Sequence, residues 1–437
     1  MAASLKVGVA GLGTVGAALV SQIADQRDLL AARCGRPIDV VAVCARSRAK
    51  KRGLDLKSVK WFSDPQTLAR EPGIDVFVEL MGGAGDPAMS AVAAALASGK
   101  SVVTANKALL AKHGVKLAAL AEKHRVALNF EAAVGAAIPV VKTLRDGLAG
   151  NRVERIYGIL NGTCNYILTR MEQDKLAFAD CLKEAQRLGY AEADPTFDVE
   201  GHDTAQKLAI LASLAFGTKV DERAIYVEGI SSIAPADLTA ADELGYRVKL
   251  LGVAVRTPQG IEQRVHPTMV RKDSSIAQVM GVTNAVTIDA QAINPLTLVG
   301  PGAGGAATAS SVLSDIADIA RGVRTMPFGR PAARLSSVRK APMQRHEGGY
   351  YIRLEARDKP GTAARIATRL SQQQISLESI VQRHDQARAG QDKKAGSVPV
   401  ILITYATSED AVRKALAAVD RDKVISGRPQ VIRIEKN

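Results

Sequence analysis

The densest group of ionisable side chains lies between residues 188 and 217, in the stretch LGYAEADPTFDVEGHDTAQKLAILASLAFG. Its carboxylates are Glu192, Asp194, Asp198, Glu200 and Asp203. Lys207 follows Asp203 by four residues, on the face of a predicted helix that continues with Ile210 and Leu214. A lysine on an apolar stripe either extends its amine to solvent or is buried for a function, and a buried lysine near carboxylates can transfer a proton. The alternative is an ordinary surface ion pair between Asp203 and Lys207, worth about 0.3 kcal/mol.

A hard cation is another ligand that several carboxylates could hold. The spacing is not that of an EF-hand, and His202 has no histidine partners nearby. The acidic stretch therefore favours proton transfer over a catalytic metal.

A second lysine stands where α/β proteins bind their ligands. Lys107 ends the stretch KSVVTANK, a predicted buried strand followed by polar residues. Ligands of open parallel sheets lie beyond the carboxyl ends of the strands. We therefore expect Thr104, Asn106 and Lys107 to share a crevice with the Met-Gly-Gly sequence at 81–83.

The glycine-rich sequence GLGTVG, residues 11–16, lies between the apolar run LKVGVA and a predicted helix over 14–31. This is the context that a dinucleotide-binding loop requires. Gly11 permits the tight turn, Gly13 lets the backbone approach a phosphate, and Gly16 allows close packing of helix and strand. Thr14 and Val15 open the helix, where free N–H groups attract an anion.

The next predicted strand, 38–44, is followed by Arg46, Ser47 and Arg48. Domains that prefer NAD carry an acidic residue here, which binds the ribose 2′-hydroxyl. Two guanidinium groups instead suit a 2′-phosphate, so the sequence predicts NADP, with NAD as the second choice. The alternative is a solvated basic loop without a ligand.

Strands and helices alternate through the first 132 residues, which predicts an α/β fold with a Rossmann-type, doubly wound parallel sheet. We expect residues from about 306 to 325 to complete this domain. Residues 133–305 are predicted to form an α+β catalytic and dimerisation domain, and the Pro-, Gly- and Arg-rich stretch 326–348 a linker. The order βαββαβ over 349–437 predicts a ferredoxin-like module, with a mobile polar loop at 384–396.

Composition narrows the class of protein. The net charge is +14, but basic residues are mixed with acidic ones, which argues against a nucleic-acid-binding protein and favours small anionic ligands. No apolar stretch reaches the ~18 residues of a membrane span. The four cysteines stand singly, as expected of reduced thiols in a cytoplasmic protein.

Over essentially its whole length the chain resembles homoserine dehydrogenases of the long, regulated type. The motifs that carry the resemblance are GVAGLGTVG (8–16), VVTANKALLA (102–111), FEAAVGAAIPV (130–140), GILNGTCNYIL (158–168), LGYAEADPTFDVEGHDTAQKLAIL (188–211), VHPTMV (265–270) and GPGAGG (300–305). The last domain resembles an ACT module, whose mark is the DKPG turn at 358–361. The resemblance implies NAD(P)H-dependent interconversion of L-aspartate 4-semialdehyde and L-homoserine, on the route to threonine, isoleucine and methionine.

The resemblance also implies roles for individual residues. Lys207 would exchange the proton with the substrate oxygen, and Lys107 would be the second catalytic lysine. Residues implied to bind the amino acid are Glu192, Asp198 and Asp203. Gly189 and Gly302 would line the cofactor site. A structural sodium-type site is implied at Glu131 and at the carbonyl groups of Val134, Ala136 and Ile138.

Regulation and assembly follow from the same resemblance. The ACT module implies feedback inhibition, with threonine as the expected effector, and the family implies a homodimer or homotetramer. One alternative is an aldehyde-oxidising enzyme with Cys164 as nucleophile, although no histidine near it in sequence could activate the thiol. Another is an amino-acid-sensing regulatory protein with a degenerate dehydrogenase body. The intact Lys107, Glu192, Asp203 and Lys207 argue against it.

Overall fold

The computed structural model describes residues 3–343, 346–382 and 397–435. The loop at 384–396, predicted to be mobile, lies outside the described residues. Within the described ranges, none of the helices combines the length and the hydrophobicity that a bilayer crossing demands.

The N-terminal domain is built on a six-stranded, all-parallel sheet. Its strands are β1 (Leu5–Ala10), β2 (Ile38–Cys44), β3 (Lys60–Phe62), β4 (Val76–Glu79), β5 (Ser101–Thr104) and β6 (Leu128–Asn129). Its helices are α1 (Thr14–Asp25), α2 (Arg27–Cys34), α3 (Pro65–Arg70), α4 (Ala88–Ala97) and α5 (Lys107–His124). The strand order β3-β2-β1-β4-β5-β6 is that of a dinucleotide-binding fold, which confirms the predicted doubly wound sheet.

The single helix predicted over 14–31 is two helices, because the backbone at Gln26 leaves the helical region (φ −108°, ψ 20°). Downstream of this break Leu30 is buried while Leu29 is 45% exposed. Sequence periodicity continued across the break because both segments keep apolar residues at helical spacing.

The middle region forms half of a second, eleven-stranded sheet. Its strands are β7 (Val153–Ile159), β8 (Tyr226–Val227), β9 (Tyr246–Thr257), β10 (Gly260–Arg271), β11 (Thr283–Ala290) and β12 (Ile293–Pro301). Its helices are α6 (Val140–Lys142), α7 (Gly162–Asp174), α8 (Phe178–Arg187), α9 (Thr196–Val199), α10 (His202–Phe216) and α11 (Pro235–Glu243), with α12 (Gly305–Ala320) after the last strand. Strands β12-β11-β7-β9-β10 are neighbours in that order, and α7 and α10 pack on the sheet.

Helix α12 returns the chain to the first domain. Ala309, Val312 and Ile316 are buried in the same apolar cluster as Val7 of β1 and Leu19 of α1. At the start of α12, a Cβ atom on Gly305 would lie 2.6 Å from the methyl group of Thr14. The loop before α12 is therefore brought against the glycine-rich loop.

The C-terminal module contains β13 (Glu347–Arg357), α13 (Thr362–Ser371), β14 (Leu377–Gln382), β15 (Ser397–Thr404), β16 (Thr407–Ser408), α14 (Glu409–Arg421) and β17 (Ile425–Ile434). Its four long strands lie in the order β17-β13-β15-β14, all antiparallel, and the two helices contact each other. This order confirms the predicted ferredoxin-like module.

The C-terminal module shares its sheet with the middle region. Strand β17 pairs in parallel with β10, with Arg433 opposite Thr268 and Ile434 opposite Met269. Within the predicted linker 326–348, Ser336 forms a bridge to Thr218. The middle region and the C-terminal module are thus joined by backbone hydrogen bonds. The local sequence of neither region predicts this pairing.

Glycines of the GLGTVG loop give a stability prediction. A Cβ atom on Gly16 would overlap the carbonyl oxygen of Gly11, whereas one on Gly13 would meet nothing within 4 Å. We expect Gly16→Ala to lower the free energy of unfolding by about 1–3 kcal/mol, because the turn and α1 must separate, and Gly13→Ala to leave it nearly unchanged. Chemical denaturation of both variants checks this, and equal stability of the two would contradict the predicted close packing.

Candidate active site

Asp203 and Lys207 lie on α10, which begins directly after the tight turn at Gly201 (φ 84°). Asp203 is in the first turn, where a helix favours negative charge, and Lys207 follows one turn later. The helix is apolar beyond this point, so its packing on β9 fixes where both side chains lie. The helix predicted from the spacing around Lys207 is therefore present and begins within the expected range.

A network of short polar contacts joins Asp203 to two lysines. The Lys207 ammonium donates to Asp203 Oδ2 at 2.9 Å and to the carbonyl oxygen of Leu160 at 2.7 Å. Lys107 Nζ lies 3.2 Å from Asp203 Oδ1. The structure thus brings together the two lysines that the sequence places a hundred residues apart, one from each domain.

Asn161 joins a second carboxylate to this network. Its side-chain amide donates to Asp203 Oδ2 at 2.9 Å and to Asp198 Oδ1 at 2.8 Å. Its own carbonyl oxygen accepts from the Cys164 N–H at 2.8 Å and so caps the start of α7. The hydrogen bond from Cys164 holds the Asn161 side chain in place. Its amide group in turn bridges the carboxylates of Asp198 and Asp203 and so sets their spacing.

The two aspartates have opposite pKa shifts. Burial raises the pKa of Asp203, but Lys207 and Lys107 outweigh burial and lower it to about 2. Burial, and then the negative charge of Asp203, raise the pKa of Asp198 above its ordinary value. Asp203 is accordingly ionised at neutral pH and paired with two cations. A further positive charge nearby would stabilise the ionised form of Asp198.

Lys107 is positioned by polar groups at the carboxyl edge of the first sheet. It is the first residue of α5, and the side chain of Asn106 caps that helix by accepting from the Leu109 N–H at 3.0 Å. The same side chain donates to the carbonyl oxygen of Gly83 at 2.7 Å. The predicted crevice between 81–83 and Lys107 is therefore closed by hydrogen bonds at its base.

Glu79, which sequence reasoning missed, organises the floor of this crevice. One carboxylate oxygen accepts from the N–H groups of Met81 and Gly82 at 2.7 and 3.1 Å, and the other accepts from the Thr104 hydroxyl at 2.7 Å. The signal was available in the sequence, because a carboxylate at the end of an otherwise apolar strand must find donors. Asn161 was similarly visible only as a turn residue.

The glycine-rich loop and the basic turn after β2 also meet. Arg52 Nε donates to the carbonyl oxygen of Leu12 at 3.0 Å, and its guanidinium lies 5.7 Å from the centre of the Trp61 ring. Arg48 lies over the same ring at 6.0 Å, and Arg46 is exposed. Arg52 thus borders the glycine-rich loop, and Arg48 shares the Trp61 ring with it.

Other predicted site residues lie further out. Glu192 is exposed on the loop between α8 and α9, and among the described residues its side chain has no hydrogen bond or ion pair to the Asp203 network. Gly189 (φ 77°) begins that loop. Gly302 packs so closely on the Asn284 side chain that a Cβ atom would overlap it.

Glu131 is buried at the junction of the two domains. Its two carboxylate oxygens accept from the N–H groups of Val141 at 2.7 Å and Lys142 at 2.9 Å. Burial and the nearby Asp315 raise its pKa to about 7. In the described part of the chain, no cluster of three or more His, Cys, Asp or Glu side chains is arranged to hold a metal ion.

Comparison with known proteins places this geometry in a family. Three family models match: "Homoserine dehydrogenase, NAD binding domain" over residues 11–131, "Homoserine dehydrogenase" over 139–317 and "ACT domain" over 350–421. A homoserine dehydrogenase of Neisseria gonorrhoeae is 42% identical, over 99% of this chain and 98% of its own. The chain belongs to the homoserine dehydrogenase family.

Solved structures of homoserine dehydrogenases have the same fold as this chain. One from Thiobacillus denitrificans has a TM-score of 0.92 at 40% identity and covers 99% of this chain and 98% of its own. A hyperthermophilic archaeal homoserine dehydrogenase, solved in complex with NADPH, has a TM-score of 0.62 at 28% identity, over 72% of this chain and 97% of its own.

The predicted activity is confirmed. The chain is an NAD(P)-dependent oxidoreductase acting on a CH–OH group, which interconverts L-aspartate 4-semialdehyde and L-homoserine, and it carries an ACT domain. The comparisons give no support to a regulatory protein with a degenerate dehydrogenase body. The Cys164 alternative fails on chemistry, since that thiol is buried, donates to the Asp198 carbonyl oxygen at 3.2 Å and has a pKa raised well above its ordinary value by burial.

The low pKa of Asp203 predicts a pH-dependent contribution to stability. Its carboxylate stabilises the fold by about 2 kcal/mol at neutral pH, and this is lost as the pH falls from about 4 to about 2. We expect Asp203→Asn to be less stable than the wild type at pH 7, because two cations then lack their counter-ion. Urea unfolding across this range should show the difference shrinking, since protonated Asp203 is as neutral as asparagine. A difference that persists at pH 2 would rule out the charge as its source.

Proposed function

We propose that Lys207 exchanges the proton of this reaction. In the direction of reduction its ammonium donates a proton to the oxygen of the aldehyde as hydride reaches the carbon; in the reverse direction its amine accepts the hydroxyl proton of homoserine. The observation that carries the proposal is the pairing of Lys207 and Lys107 with one buried carboxylate, Asp203. When bound, the nicotinamide supplies or accepts the hydride.

Lys107 supplies positive potential where negative charge develops. Its side chain is 34% exposed, against 12% for Lys207, so it borders the crevice while Lys207 lies deeper. A substrate oxygen between the two ammonium groups is stabilised as it gains charge. Asp203 holds both cations in place, and its two oxygens are already engaged.

Asp198 and Glu192 are the candidates to bind the substrate ammonium group. Asp198 accepts one hydrogen bond from Asn161 and keeps free lone pairs, and burial, followed by the negative charge of Asp203, raises its pKa, so a nearby ammonium group would stabilise its ionised form. Glu192 is exposed on the adjacent loop and can approach a bound amino acid. The substrate role predicted for Asp203 is served indirectly, through the lysines.

NADP is the proposed cofactor in turnover. Residues Gly11, Gly13, Thr14, Val15 and Gly16 would hold the pyrophosphate, and a Cβ atom on Gly13 would point into open space that a phosphate can use. Arg46 and Arg48 would bind the 2′-phosphate. The NADPH complex of the archaeal relative supports this choice. Thr104, Lys107, Gly189 and Gly302 would border the nicotinamide end.

A structural monovalent cation is proposed at Glu131 and the carbonyl groups of Val134, Ala136 and Ile138. Val134 and Ala136 are buried, and among the described residues their carbonyl oxygens accept no hydrogen bond, whereas that of Ile138 accepts from the Val140 N–H at 2.8 Å. Buried carbonyl oxygens without donors fit a hard cation. Such an ion would brace the backbone between the domains.

Assembly, location and regulation complete the proposal. Both ends of the eleven-stranded sheet are open edges in the described chain, and Val299 of β12 (57% exposed) and Ile380 of β14 (52%) support a homodimer or homotetramer. The four cysteines are free and buried, as the reducing cytoplasm allows. Threonine, a product of the pathway, is the proposed effector of the ACT domain.

Removal of the Lys207 amine tests the proposed chemistry. We expect Lys207→Ala to lower kcat by at least ~100-fold while NADP binds as in the wild type, because the amine acts on the substrate oxygen alone. Homoserine-dependent formation of NADPH, followed at 340 nm, measures turnover, and fluorescence titration measures cofactor binding. Lys219→Ala, at an exposed lysine after the same helix, is the control. Lost cofactor affinity with unchanged kcat would contradict the role.

Substitution of the basic turn tests the cofactor. We expect the double variant Arg46→Ala, Arg48→Ala to raise KM for NADP about 10–100-fold and KM for NAD less than about twofold, since NAD lacks the 2′-phosphate. Arg27→Ala, which removes an exposed pair with Asp39 in the same domain, should change neither value. An equal rise for both cofactors would show that the arginines do not read the phosphate.

A further inference from the structure

Arg433, on the last strand of the ACT module, is a buried arginine shared by two carboxylates. It is 2% exposed. Its Nε and Nη2 donate to Glu409, the first residue of α14, at 3.0 and 2.7 Å. Its Nη1 and Nη2 donate to Glu228 of the catalytic domain at 2.6 and 3.1 Å. A bidentate pair on each side makes Arg433 the charged link between module and enzyme body.

The link continues through the segment that follows β8. Glu228 also accepts from the Tyr226 hydroxyl, on the same oxygen that Arg433 Nη2 contacts, and its backbone N–H donates to the Val265 carbonyl oxygen at 2.8 Å. Gly229 follows at once, and a Cβ atom there would overlap the carbonyl oxygen of Val199. The segment that carries Glu228 therefore rests directly on the end of α9.

Val199, where the two segments touch, directly follows Asp198 in the chain. The Ile230 N–H donates to the Val199 carbonyl oxygen at 2.8 Å, and the Ser231 hydroxyl donates to Glu200. Val199 and Glu200 lie between Asp198 and Asp203. The short backbone between the two aspartates is thus hydrogen-bonded to the segment that carries Glu228, the partner of Arg433.

We propose that Arg433, acting through Glu228, is a positioning residue for the proton-transfer site. The ion pair holds residues 228–231 against 199–200, and that contact fixes the backbone that follows Asp198, so that Asp198 keeps its hydrogen bond to Asn161 beside Asp203. The ACT module therefore supplies a side chain on which the alignment of the catalytic groups depends. The proposal rests on the proposed roles of Asp198, Asp203 and Lys207.

The structure favours charge over simple packing as the source of this effect. Glu228 keeps 36% of its side chain exposed, so its contribution to the apolar core is small. Its two oxygens nevertheless accept two donors from Arg433 and one from Tyr226. Neutralising Glu228 removes the attraction while leaving shape and volume nearly unchanged.

Glu228→Gln is the test, measured in the full-length enzyme. We expect kcat for homoserine oxidation to fall about tenfold or more, with the Kd for NADP within twofold of the wild type, because small displacements of catalytic groups cost rate while the cofactor loop is untouched. The control is Asp422→Asn, which breaks the bidentate pair with Arg369 inside the module (2.7 Å for both contacts) and should change kcat less than twofold.

A double-variant cycle separates positioning from general weakening. If Glu228 acts through Asp198, adding Glu228→Gln to Asp198→Asn should lower kcat by less than twofold further, whereas an unrelated loss of stability would multiply. Arg433→Lys should restore part of the activity lost in Arg433→Met. This comparison replaces Glu228→Gln as the test if that variant does not fold. Unchanged kcat in Glu228→Gln, an equal loss in the control, or a full tenfold loss in the Asp198→Asn background would overturn the proposal. Retained turnover in Lys207→Ala would instead overturn the proposed function.

Discussion

The buried carboxylate of Asp203 is the interaction on which the rest of this structure depends. It holds two ammonium groups that come from different domains, and those cations lower its pKa to about 2 in spite of its burial. A buried carboxylate without them would be protonated or excluded from the core. Two lysines without the carboxylate would repel each other. The three groups are therefore stable only together.

Helix termini explain why this arrangement can be built. Asp203 is in the first turn of α10, where the helix dipole favours an anion, but Lys107 is the first residue of α5, where the same dipole disfavours a cation. The carboxylate offsets that cost. Asn161 and Asn106 each cap one helix with the side-chain oxygen. The side-chain NH2 group of Asn161 donates to Asp203, and that of Asn106 donates to the Gly83 carbonyl oxygen. The side chains that cap these helices also hold Asp203 and the residue before Lys107, so the local folding of the helices sets the geometry of the Asp203 network.

The sequence predicted what depends on local spacing and missed what depends on the meeting of distant segments. The doubly wound sheet, the helix carrying Lys207 and the ferredoxin-like module follow from periodicity and turn residues. The family resemblance implied roles for Lys107 and Asp203, but it did not predict that they pair, because no local rule joins residues on different domains. Glu79 and Asn161 went unassigned because their partners are backbone groups and carboxylates fixed only by the fold. The strand pairing of β17 with β10 could not be predicted, since each module is complete by its own pattern.

That pairing has a consequence for how the chain is made. Arg264 and Glu435 are hydrogen-bonded although they are 171 residues apart. During synthesis β10 leaves the ribosome long before β17 exists, so its partner edge stays open until β17 is translated. The sheet of the enzyme body therefore gains this neighbour only when β17 of the ACT module has been made. A transcript cut short anywhere in the module would thus yield a chain with an exposed strand edge, a target for chaperones and proteases, rather than an enzyme that has merely lost its regulation.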